Sequence, residues 1–288
     1  MFDLRYHVAS LAAVFLALVI GILVGVGIAD TGVQEDSLRG QIALAERERD
    51  EARNRVAFLE RHGEVMLNFE RDAYPALMNR RLAGKRVALV FVGSVDDGVR
   101  GSVERTLEAA DGQLARMRAL RLPVEPRSLL AALGSRALVG EYTDDNGLVQ
   151  LGRDLARELT AGGDTPLWDA LGGELVEEQS GDAERAVDGV VVARTSGPQR
   201  GATARFLTGF YTGLADSGVP AIGVETSGAA STAVGLFKSR GLSSVDDVET
   251  ATGRLALALL LSGADEGQYG LRSGDGPYPP IEPVEPVD

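Results

Sequence analysis

Residues 86–92 read RVALVFV and run directly into GSVDDG at 93–98. An unbroken apolar run with several β-branched side chains, closed by a glycine and a polar turn, is the pattern of a strand buried on both faces. Working toward the C-terminus, the same kind of run recurs between amphipathic stretches. A helix is expected over 101–110, an extended segment over 113–122, a helix over 148–160 and a strand over 186–193 (AVDGVVVA). A helix over 203–217, a strand over 220–224 (PAIGV) and helices over 232–240 and 250–261 follow. Strands alternating with helices predict an α/β fold, a mainly parallel, Rossmann-like three-layer domain over 84–272. Beyond it, 273–288 holds five of the eleven prolines and no periodicity, and reads as a disordered Pro-rich tail.

Working toward the N-terminus, residues 8–29 (VASLAAVFLALVIGILVGVGIA) carry no charge. Twenty-two residues at a helical rise of about 1.5 Å match a hydrocarbon core of about 30 Å, so 1–30 is expected to be a transmembrane anchor with membrane lipid as its partner. A signal peptide cleaved near Gly27-Ile28-Ala29 is the competing reading, although such apolar regions usually run about 7–15 residues. The free amine and Arg5 precede the span and Arg39 is the only basic residue in the fifteen that follow. That balance favours an inside N-terminus and a single-pass protein whose globular part lies outside the cytoplasm.

Within the span a small residue recurs every fourth position. Ala13, Ala17, Gly21 and Gly25 are the expected oligomerisation stripe, since small residues let two helix backbones approach closely in lipid. Next, Leu38, Ile42, Ala45, Ala52, Val56 and Leu59 fall on alternating three- and four-residue steps, interrupted by Arg49. This is coiled-coil spacing, so 31–83 is expected to be a helical stalk, with an amphipathic helix lying on the globular domain as the alternative. Both elements ask for a second copy of the chain, and a homo-oligomer is expected.

Composition excludes several classes. There is no cysteine among 288 residues, which removes disulfides, zinc ribbons and thiol catalysis. A net charge of −13 argues against nucleic acid as a partner. The two histidines, His7 and His62, both precede the globular part, so it offers none for a triad or an imidazole metal site, and no catalytic residue is expected. The carboxylate pair Asp144-Asp145 reads as solvated.

Ligands of open parallel sheets sit outside the carboxyl ends of the strands. Three loops fall there: Ser94, Asp96 and Asp97 in the first, Thr195 and Ser196 in the second, Thr226 and Ser227 in the third. Their small polar residues suit a phosphate or sugar, and suit helix caps and turns equally well, since no GxGxxG or P-loop is present. The motif Ser94-Val95-Asp96-Asp97 recurs as Ser244-Val245-Asp246-Asp247; its two adjacent carboxylates could hold a hard cation, and a cap or solvated loop is the expected reading. His62 and Met66, one helical turn apart, are the soft-donor pair for a weak metal site.

The opening MFDLRYHVASLAAVFLALVIGILVG, the stalk, the first strand, the stretch SSVDDVETATGRLALALLL at 243–261 and Gly267-Gln268-Tyr269-Gly270 together resemble the actinobacterial copper transport protein family of MctB type. The resemblance reaches to about residue 272. It implies an envelope protein of copper homeostasis, a pore-forming component that lowers intracellular copper, with copper as a transported ion and no cofactor. The motifs carry no ligand set. A single apolar helix per chain means that any pore needs several copies. The residues alone equally support a non-catalytic cell-envelope scaffold or a ligand-binding sensor domain.

Overall fold

A computed structural model of the chain describes residues 4–134, 142, 146–272 and 274–283. Two compact units divide at Phe69, Met1–Phe69 and Glu70–Asp288. The pair Asp144-Asp145 and the end of the tail, 284–288, lie outside the described residues.

The first unit is helical throughout its described length, as part of α1 (Leu4–Met78). Within it Tyr6–Gly27 has a mean hydropathy of 2.7 and buries nothing against the chain. The seam side chains Leu38, Ile42, Val56 and Leu59 are likewise exposed. Their three- and four-residue spacing gives α1 an exposed apolar stripe. Helix α1 passes through Pro75 and ends at Met78, where the Asn79 amide donates to the Pro75 carbonyl at 3.0 Å.

The second unit is a mixed α/β domain around a seven-stranded sheet. In chain order its elements are β1 (Arg86–Val92), α2 (Asp97–Ala109), β2 (Gln113–Leu120), α3 (Pro126–Ala132), α4 (Gly147–Ala161), α5 (Pro166–Leu175) and β3 (Val176–Gly181). Then come β4 (Gly189–Arg194), α6 (Gly201–Ala215), β5 (Ala221–Val224), α7 (Val234–Ser239), β6 (Ser243–Val245), α8 (Ala251–Ser262) and β7 (Gln268–Tyr269). The strand order is β3-β2-β1-β4-β5-β6-β7, and every pairing is parallel except that of β3 with β2. The chain winds outward from β1 through β2, then returns across the sheet to β4. The order therefore reverses between β1 and β4, the switch point at which open α/β sheets leave a crevice.

Strand periodicity assigns the two cores. Ala88, Val90, Val92, Val190 and Val192 face one cluster with Leu151 and Leu155 of α4, Trp168 of α5 and Phe206 and Phe210 of α6. Val87, Leu89, Phe91, Val191 and Ala193 face the other, with Val103 and Leu107 of α2 and Leu255 and Leu259 of α8. Each large aliphatic or aromatic side chain so buried contributes about 1.5–3 kcal/mol of transfer free energy. Helix α8, LALALLL over 255–261, is buried around most of its circumference, as its unbroken apolar run requires. Helices α4 and α6 pack backbone against backbone: a Cβ on Gly209 would strike the Val149 carbonyl, and one on Gly152 the Phe206 carbonyl.

The strands anticipated over 86–92 and 220–224 are found as β1 and β5 with small end shifts. Helix α2 begins four residues before the anticipated 101 because Asp96 accepts the Val99 amide at 3.0 Å and nucleates an earlier turn. Not anticipated were α3, α5, β3, β6 and β7. In the tail, 274–283 contains no helix or strand, and Asp275 accepts the Gln268 amide at 2.8 Å.

Candidate functional site

Two of the three anticipated loops meet at the switch point. The loop after β1 turns at Gly93, whose φ of 117° is open to glycine and strained for other residues. A Cβ there would lie 2.8 Å from the Thr195 hydroxyl oxygen, so glycine also makes the room that brings the β4 loop in. That hydroxyl donates to the Ser94 carbonyl at 2.7 Å, and the Ser196 amide donates to the Val92 carbonyl at 3.2 Å. The Ser196 hydroxyl is buried with no partner among the described residues. Ser94 and Thr195 are thus brought together, while Asp96 and Asp97 turn to the start of α2. Asp96 serves as the cap, and Asp97 pairs with Arg100 at 2.6 Å on the surface.

The third loop joins a different neighbour. The Ser227 amide donates to Glu249 at 2.9 Å, and the Ser227 hydroxyl donates to the same carboxylate oxygen. Thr226 is half-buried and its carbonyl accepts the Ala229 amide at 3.0 Å. Glu225, buried at the end of β5, accepts the Thr232 hydroxyl and the Ala233 amide, each at 2.6 Å. Arg194 at the end of β4 links this loop to the switch point by donating to the Ser231 hydroxyl at 2.9 Å.

The second SVDD motif departs from the expected solvated loop. Asp246 and Asp247 are 0% and 1% exposed, whereas Asp96 and Asp97 are on the surface. The difference is what each pair meets. Asp246 accepts the Leu271 amide at 2.8 Å and the Arg272 amide at 3.0 Å, fastening the chain after β7. Gly270, at φ 128°, leaves the space in which that carboxylate sits. Asp247 accepts the Thr250 hydroxyl at 2.9 Å, and Thr250 in turn caps α8 by accepting the Gly253 amide at 2.9 Å. Burial raises the Asp247 carboxyl above its ordinary value, and the nearby charges of Asp246 and Glu249 push the same way. The one legible hint in the sequence was Thr250-Ala251-Thr252-Gly253, a cap followed by a glycine ahead of an apolar run.

Of the soft-donor pair, His62 and Met66 are both exposed on α1, and the His62 ring stacks on Phe58 with centroids 6.0 Å apart. No group of three or more histidine, cysteine, aspartate or glutamate side chains placed to hold a metal occurs among the described residues. Ala13, Ala17, Gly21 and Gly25 lie exposed along Tyr6–Gly27, and an added Cβ at either glycine meets nothing within 4 Å.

The strand-end loops are fixed by hydroxyl and amide bonds, and the globular part contains no histidine to move a proton. A family model described as copper transport outer membrane protein, MctB, matches residues 1–280. No match is found among curated proteins.

Proposed function

This chain belongs to the MctB family of copper transport outer membrane proteins, and from that membership we propose that it is a membrane-anchored envelope protein that lowers cellular copper, as an oligomeric channel component for efflux. The observation that carries the reading is the extent of the match: residues 1–280 take in the apolar helix and the α/β unit together. The family is one of transport proteins and not a class of enzymes.

In this reading Tyr6–Gly27 crosses the membrane once, with the N-terminus inside and the α/β unit outside the cytoplasm. One span cannot surround a path, so copies associate through Ala13, Ala17, Gly21 and Gly25 and through the Leu38–Leu59 seam as a coiled coil. Two features support association: the stripe is open to close approach, and the seam side chains are apolar yet exposed. Copper is cargo. It prefers thiolate, thioether and imidazole donors, and a chain with no cysteine, two histidines and four methionines suits weak passage better than storage.

Copper release from sealed vesicles tests the channel. The full chain reconstituted into copper-loaded liposomes is expected to release copper faster than protein-free vesicles, and Gly21→Leu combined with Gly25→Leu is expected to slow that release. Equal release with and without protein contradicts the channel reading.

A further inference from the structure

A cavity of about 260 Å³ lies beside the switch point, between the end of β4, the loop that leads into α6, and α7. It is lined by Arg194, Tyr211 and Arg240, with Leu207 and Leu236 supplying apolar wall, and no carboxylate lines it. The chain as a whole carries a net charge of −13, so this cavity is locally opposite in sign. Neither guanidinium has an ion-pair partner among the described residues. Glu225, the buried acid at the neighbouring strand end, engages Thr232 and Ala233 instead.

Three donors here are left over. The Tyr211 side chain is 1% exposed, and its hydroxyl has no hydrogen-bond partner among the described residues. The Nε atoms of Arg194 and Arg240 are buried and likewise without an acceptor. A buried donor left unmade is costly, and three around one cavity point to an acceptor that arrives from outside. Helix α6 adds to the field: it starts at Gly201 beside the cavity, and its N-cap residue Arg200 makes no side-chain cap.

We propose that this cavity binds a small phosphate monoester, whose three terminal oxygens accept from Arg194, Arg240 and Tyr211 while its organic group rests on Leu207 and Leu236. A phosphate suits the site better than a carboxylate because it offers one more oxygen and a second charge to two guanidiniums. The ligand would make the α/β unit a sensing or docking module on the anchored chain, a role separate from copper passage.

Calorimetric titration of the full chain in detergent with phenyl phosphate, and with benzoate in a parallel titration, tests this. Phenyl phosphate is expected to bind more tightly than benzoate. Loss of one charge-assisted contact in Arg194→Gln or Arg240→Gln is expected to weaken binding by about tenfold or more, and Tyr211→Phe by a few fold. Arg205→Gln, on the exposed side of α6, is expected to leave binding unchanged. Tyr211→Phe removes a buried hydroxyl that has no partner, so it is expected to fold with an unchanged or higher melting temperature, and it keeps the test decisive if the arginine variants fail to fold. Absence of phenyl phosphate binding by the wild-type chain, tighter binding of benzoate, or unchanged affinity in folded Tyr211→Phe would overturn the proposal.

Discussion

Asp246→Ala probes whether the SVDDV motif is a structural fastening. In the folded chain the Asp246 carboxylate is fully buried and accepts the amides of Leu271 at 2.8 Å and Arg272 at 3.0 Å, while its own amide donates to the Tyr269 carbonyl at 3.1 Å. Hydrogen bonds to a charged acceptor are worth about 1.5–3 kcal/mol each. Leu271 and Arg272 are exposed, so their amides can turn to water once the carboxylate is gone, and the low end of that range applies. Two such bonds give a loss of about 3 kcal/mol, which for a unit of this size lowers the melting temperature by about 6–12 °C. The assay is thermal unfolding of the full chain in detergent, followed by circular dichroism, together with the rate of tryptic cleavage after Arg272. Cleavage is expected to accelerate more than global unfolding accounts for, because the fastening is local. Asp246→Asn keeps one acceptor oxygen but sets an amide against an amide, and should fall between. A variant Asp246→Ala melting within about 2 °C of wild type, with cleavage after Arg272 unchanged, would refute the reasoning.

Three further outcomes are expected. Asp247 holds its proton more tightly folded than unfolded, so its contribution to stability is full below the ordinary carboxylate range and is lost as pH rises through the raised folded value. The melting temperature of wild type should therefore gain on that of Asp247→Asn as pH falls from 7 toward the ordinary carboxylate range, and a gap that stays constant with pH contradicts this. Gly209→Ala should destabilise by about 1–3 kcal/mol because its Cβ would overlap the Val149 carbonyl, whereas Gly172→Ala in α5, with open space around it, should stabilise by up to about 1 kcal/mol; chemical denaturation of both reads the opposite signs. The pair Gly21→Leu and Gly25→Leu should reduce crosslinked dimer in membranes, and undiminished crosslinking would count against the stripe.

How far the chain could be read before its structure depends on which interactions are local. Strand β1 was legible because VALVFV is buried on both faces and stopped by Gly93, and α4 because its apolar positions keep a helical period. Strand β3 was not: VEEQSG pairs at the sheet edge with only Val176 buried, so it carries no apolar pattern. Strands β6 and β7 are three and two residues long, and are defined by their neighbours more than by their own side chains. Helix α5 was hidden because its cap comes from a distance, Glu158 accepting the Leu167 amide at 3.1 Å. At the strand ends the three polar loops were legible, but not which of them would meet. Thr195 reaches Ser94 because Gly93 leaves room, and Asp246 is buried because 271 and 272 fold back on it. The Arg194–Tyr211–Arg240 cavity left no signature at all, since its residues come from a strand, a helix face and a helix end that are separated in the chain.

The central claim, that this chain lowers cellular copper, is tested most directly by cell-associated copper under copper stress. Four strains suffice: the parent, one lacking the gene, the same deletion strain complemented with the whole chain, and one complemented with a chain in which Tyr6–Gly27 is replaced by a polar sequence. Copper is expected to rise on deletion, to return to the parental level with the whole chain, and to stay high without the apolar span. Copper that is unchanged by deletion would contradict the claim.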